Sequence, residues 1–123
     1  MTTAAQTTRV ATLAELESLA GQQLGTSSWI TVGQDKIDTF ADATDDHQWI
    51  HTDVERAKKE SPFGGPVAHG YLTLSLIIPM WSEVLTVDST TTAINYGLNK
   101  VRFTSPVPAE FRSIASLCRW YSS

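Results

Sequence analysis

Apolar residues fall at helical spacing through the first half of this chain, crowd together past its middle, and then alternate. Leu13, Leu16, Ala20 and Leu24 trace one face of a helix that should end near Gly21 or Gly25. Thr12 followed by Glu15 fits a capping box at its start. "SSWITV" (27–32) has the composition of a short strand. From Gln34 the helical period returns, with Ile37, Phe40, Ala41 and Thr44 on one face. Asp35 and Asp38 lie in its first turn, where the helix dipole favours acid. "DDHQ" (45–48) weakens that helix, "TDVERAKKES" (52–61) reads as a short polar one, and "PFGGPV" (62–67) is a loop.

The stretch from Gly70 to Leu85 is different in kind. Leu72, Leu74, Leu76, Ile77, Ile78, Met80 and Trp81 point in every direction around a helix, which predicts a segment buried on all sides. Pro79 removes one backbone hydrogen bond and predicts a kink. Beyond it come strand-like pieces: "TTAINYG" (91–97), "LNKVRF" (98–103) and, past "TSPVPAE", the run "FRSIASLCRW" (111–120). An α+β architecture accounts for both halves, with an antiparallel β-sheet wrapped around a central apolar helix at about 70–85.

Length and composition narrow the class. A chain of 123 residues with 41% apolar and 18% charged residues is expected to form a single globular domain over 1–123. The Thr/Ala-rich residues 1–11 are expected to be a disordered leader. A net charge of −4 argues against nucleic acid as a partner, because phosphate binding needs a basic face. Cys118 is the single cysteine, so a reducing, cytoplasmic setting is the simpler expectation. The N-terminus has no signal-peptide pattern, and the longest apolar run, "YLTLSLIIPMW", is too short to span a bilayer, so no membrane partner is expected.

The chemistry-bearing residues cluster in "ATDDHQWIHTD" (43–53) and "FGGPVAHGY" (63–71). On one unbroken helix Asp46 and His51 would stand roughly 140° apart, so they converge only if the chain leaves the helix between them. A carboxylate and an imidazole sharing one water can move a proton near neutral pH. By spacing alone the plainer alternative stands ahead: Asp46 ends the helix and His51 is a surface loop residue. The spacings of His47, His51 and His69 match no closed zinc pattern, so no metal is expected. No serine sits in a G-x-S-x-G elbow, and Cys118 falls in a presumed core strand. Gly70, at the start of the apolar helix, leaves amide groups free to meet an oxygen that gains negative charge, while His69 reads as a buried residue pinning the loop.

"FADATDDHQWIH", "FGGPVAHGYLTLSL" and "INYGLNKVRF", in that order, resemble the MaoC-like dehydratases, or (R)-specific enoyl-CoA hydratases, in the branch resembling nodulation protein N. The likeness runs from about Trp29 to Pro108. It implies a hot-dog fold, a homodimer, and reversible hydration of trans-2-enoyl thioesters of coenzyme A or acyl carrier protein to (R)-3-hydroxyacyl thioesters, with no cofactor. The family's catalytic aspartate and histidine fall on Asp46 and His51, and its backbone oxyanion donor on Gly70. Trp49 is expected to border the acyl pocket, and Tyr71, Asn95, Tyr96 and Asn99 either line the substrate site or are structural. Gln48-Trp49 stand where most members have Asn-Pro, which puts acyl-chain preference in question, and Asp45 stands where glycine is usual. Residues 109–123 depart from the family and end one or two strands short of the implied sheet. Thioester hydrolysis on the same scaffold, or a truncated or inactive acyl-CoA-binding member, are the alternatives.

Overall fold

The computed structural model describes residues 6–110, 112–114 and 117–119. In chain order the elements are β1 (Thr8–Val10), α1 (Leu13–Glu17), β2 (Gln23–Thr26), β3 (Ile30–Thr31), α2 (Gln34–Thr44), α3 (Trp49–Thr52), α4 (Val54–Glu60), α5 (Gly70–Ser75), α6 (Ile77–Val84), β4 (Leu85–Val87), β5 (Arg112–Ile114) and β6 (Leu117–Arg119). The strands pair two by two. β1 runs parallel to β4, β2 antiparallel to β6, and β3 antiparallel to β5. The chain divides into two compact units, residues 1–28 with 77–101 and 115–123, and residues 29–76 with 102–114.

In the first unit, Val10, Leu16, Leu24 and Val84 form a core, with Leu19, Trp81, Leu85 and Val87 packed against it. Thr12 caps α1 as its sequence predicts, its hydroxyl oxygen accepting from Glu15 N–H at 3.2 Å. The Glu15 carboxylate reaches one residue further back than a standard capping box, accepting from Ala11 N–H at 2.9 Å. The helix itself is shorter than its apolar spacing implied. It stops at Glu17, and Leu24 instead enters β2, where Gly25 has a backbone oxygen of Gln6 only 2.0 Å from where a Cβ would sit. The expected disordered leader is also corrected: Thr8–Val10 is a strand with Val10 buried, and Gln6 bridges to Thr26. Residues 1–5 lie outside the described part.

In the second unit α2 spans the predicted residues, with Ile37 and Ala41 buried and Asp35 in its first turn. Its N-terminus has no side-chain cap of its own; Glu110 supplies one, its Oε1 accepting from Gln34 N–H at 2.6 Å. The predicted polar helix is α4, capped by Asp53, which accepts from Arg56 N–H.

Of the expectations about the apolar centre, the break near Pro79 is seen and the all-round burial is revised. The 70–85 segment is interrupted at Leu76, three residues before Pro79, whose missing N–H and ring oppose continuous helix there. It is not buried all round: Leu72, Leu76, Met80 and Val84 are buried at four-residue spacing, whereas Tyr71, Ile77 and Ile78 are exposed. "TTAINYG" and "LNKVRF" form no strand; residues 91–104 are irregular, with Ile94, Tyr96 and Leu98 exposed. A strand-like composition makes a strand only where a partner pairs with it, and no named strand pairs with this segment among the described residues. The tail does pair, through β5 and β6. The burial expected for the Cys118 side chain lies outside the described part. No helix among the described residues is long and apolar enough to cross a membrane.

Candidate active site

The backbone between Asp46 and His51 supplies the turn that one helix would have denied. Asp45 ends α2 in the left-handed conformation, φ 58° and ψ 28°, and Asp46 N–H closes back on the Ala41 carbonyl at 3.1 Å. The chain is then irregular until α3, a single turn that sequence reasoning missed, brings His51 round. One carboxylate oxygen of Asp46, one ring nitrogen of His51 and one of His69 consequently lie within 4.8 Å of one another. Two groups that each hydrogen-bond the same water stand about 4.6 Å apart at a tetrahedral angle. A bound of 4.8 Å keeps the two groups within reach of one shared water.

His51 is held at three points. Its Nδ1 lies 2.7 Å from the Val67 carbonyl, and because a carbonyl only accepts, Nδ1 carries the hydrogen. The neutral ring then presents a bare lone pair at Nε2, the state needed in a base. The His51 carbonyl accepts from Gln34 Nε2 at 2.7 Å, which anchors α3 to the first turn of α2. Its ring stacks on His69, centroids 3.9 Å apart and planes 26° from parallel. Val67 is itself fixed by extended backbone pairing, since Val67 N–H donates to the Ile50 carbonyl, Ala68 N–H to Val107 and Ala109 N–H to Pro66.

His69 is buried, and its Nε2–H donates to the main-chain carbonyl of Asp46 at 2.9 Å. Asp46 and His51 themselves remain reachable by solvent. The Asp46, His51 and His69 donors are close enough to raise a metal reading, but their directions oppose it. Ring lone pairs lie in the imidazole plane, and two stacked, nearly parallel rings cannot both aim at one ion at about 2.0–2.1 Å.

Gly70 opens α5, and the amides of Gly70, Tyr71 and Leu72 precede its first backbone bond, Thr73 N–H to the His69 carbonyl. A cleft of about 330 Å³ adjoins Gly70, lined chiefly by Phe63, Val67, Thr73, Phe103 and Val107. A Cβ added at Gly70 would stand 3.1 Å from the Phe103 ring, so glycine is what lets that ring close over the helix start. The remaining expected residues are placed as follows. Trp49 lies at the start of α3 with the Arg56 guanidinium 4.3 Å from its ring centroid. Tyr71 is 73% exposed and meets Phe103 edge-on. Asn95, Tyr96 and Asn99 belong to the other unit. Sequence reasoning did not find Gln34, the Val67 carbonyl or Phe103. Val67 acts through its own carbonyl and the Gln34 side chain acts on that of His51, and a main-chain carbonyl leaves no trace in residue type.

An α+β scaffold carrying a carboxylate–imidazole pair beside a glycine-started helix defines a class, and comparison with known proteins supplies the family. The model of the MaoC like domain matches residues 15–112. The chain is 50% identical over 100 residues to 3-hydroxyacyl-thioester dehydratase Z of Mycobacterium tuberculosis, covering 81% of this chain and 66% of that one. It is 57% identical over 96 residues to nodulation protein N of Rhizobium leguminosarum bv. viciae, covering 77% and 60%. Among solved structures it resembles a monoamine oxidase regulatory protein from Archaeoglobus fulgius, with TM-score 0.64 and 30% identity over 85% of this chain and 67% of that one. The chain belongs to the MaoC-like domain family and has its α+β hot-dog fold. It spans just under two thirds of the length of the curated relatives it matches.

Proposed function

We propose that this protein is a hydro-lyase that interconverts trans-2-enoyl and (R)-3-hydroxyacyl thioesters. The observation that carries this reading is the separation, within 4.8 Å, of an Asp46 carboxylate oxygen and a His51 ring nitrogen. The 50% identity to a protein named 3-hydroxyacyl-thioester dehydratase supports it.

In the hydration direction Asp46 and His51 hold one water by its two hydrogens. Its oxygen bonds to C3 as one O–H bond breaks, the pair takes that proton, and the same proton is handed to C2. Atoms balance as the addition of one water. The electrons that leave the C2–C3 double bond gather on the thioester oxygen in the transition state, where the Gly70 N–H stabilises them. The thioester already acidifies C2, so neither a metal nor a redox cofactor is called for. The apolar cleft beside Gly70 suits an acyl chain. Coenzyme A or acyl carrier protein as the carrier, a homodimer and a cytoplasmic setting complete the reading.

Purified protein should remove the enoyl-thioester absorbance of crotonyl-CoA. Asp46→Asn and His51→Ala should each lower kcat/KM by about 10²-fold or more while circular dichroism stays unchanged. Full activity in both variants would refute the assignment.

A further inference from the structure

We infer that His69 is a positioning residue that sets the separation between Asp46 and His51, an inference that rests on the hydratase reading. One ring acts on both partners by different means. Its Nε2–H donates to the Asp46 carbonyl at 2.9 Å, at a point where the chain has just left α2 and has no regular structure of its own. Its face stacks on His51 at 3.9 Å between centroids. His69 can serve as a reference for both because it is itself immobilised. It is 2% exposed, its ring also meets Phe40 at 4.8 Å, and its neighbours Val67 and Ala68 are tied by backbone bonds to Ile50 and Val107.

Packing alone does not account for a histidine here. Burying an imidazole costs free energy unless both nitrogens are bonded. His69 Nδ1 has no hydrogen-bond partner among the described residues. A residue selected only to fill this volume would be leucine or phenylalanine. Histidine does what neither can, which is to present a flat ring to one catalytic group and a hydrogen-bond donor to the main chain of the other. An unfavourable buried group retained beside a reactive pair is the local inconsistency expected where function overrides stability.

The two roles separate by substitution. His69→Gln keeps an amide N–H near the Nε2 position and loses the ring; His69→Phe keeps a ring and loses the donor. With crotonyl-CoA, each variant should lose about 10- to 100-fold in kcat, the scale of a misplacement near 1 Å. KM should stay within about twofold, because the His69 side chain is buried away from the solvent through which substrate arrives. His69→Phe should be at least as resistant to urea as the parent. Crystal structures of the variants should show the Asp46 carboxylate and His51 ring moved beyond the one-water separation. Retention of parental kcat in both folded variants overturns the positioning role, as does a loss of kcat with the 46–51 geometry unchanged. Should one variant fail to fold, the other decides by the same criteria. Should the parent protein not hydrate crotonyl-CoA, the hydratase reading falls by itself. The crystallographic separation still decides the positioning role, which is overturned if neither variant alters it.

Discussion

Asp45 occupies a backbone conformation, φ 58°, that costs an L-residue roughly 1–2 kcal/mol relative to its preferred regions. That conformation takes the chain out of α2 and frees Asp46 to face His51. The sequence shows Asp45 as an unusual residue where glycine is the family habit, and its extra charge beside Asp46 is the obvious inference. The structure gives the position a different meaning: a left-handed cap that aspartate tolerates better than most residues. Asp45→Gly should therefore match or exceed the parent in stability, and Asp45→Ala should fall about 1 kcal/mol below it. Urea midpoints at constant m-value measure both. The convergence of Asp46 and His51 was legible only as a condition, that the helix break between them. His69 was legible as buried, but not as a contact to both partners. Its bond is to a carbonyl, and every residue has one.

At the scale of elements, α2 and α4 were readable because their signals are local, an apolar period and an acid-rich first turn. α1 was overextended because Leu24 kept the helical spacing while Gly25 and the pairing with Gln6 drew it into a strand. The interruption at Leu76 followed from Pro79, but the exposure of Ile77 and Ile78 did not, since hydropathy says how much surface wants burial and not what is there to cover it. α6 carries another feature invisible in sequence. Glu83 accepts from Ser28 N–H at 2.7 Å and from the Ser28 hydroxyl at 2.8 Å. The backbone donor first, and the hydroxyl second, hold the Glu83 carboxyl below its ordinary value of 4.5. A carboxyl depressed in the folded state adds stability above its unfolded pKa and loses it as pH falls through the folded one. Glu83→Gln should accordingly be less stable than the parent at pH 7. That gap should close as pH falls through and below the ordinary carboxyl range, as followed by denaturant unfolding across pH.

For the whole molecule, the long-range pairings were the least legible. β1 and β4 are joined in register from Thr8↔Leu85 to Val10↔Val87, and Arg9 meets Asp88 at 2.8 Å across 79 positions. No local pattern distinguishes such a strand from a polar leader, because three residues carry too little periodicity and their partner is remote. The structural consequence is that the N-terminal residues hold up the first unit's core. Val10 is buried with Leu16, Leu24 and Val84. Val10→Ala should thus cost about 2 kcal/mol, two buried methyl groups' worth plus some cavity, read as a lower urea midpoint. A disordered leader would show no change. Family and fold class were available from motif order alone; the division of the chain into two units was not.

His69 grips Asp46 by its main chain and leaves the carboxylate untouched. A clamp of that sort is indifferent to what side chain the gripped residue bears. Descendants of this chain that exchanged the acid for any other small residue would keep the same trace, the same clamp and the same tilt of the neighbouring imidazole. On the proposed mechanism, shape therefore makes a poor witness to turnover, and a single side chain at position 46 would separate a hydrating chain from a silent one.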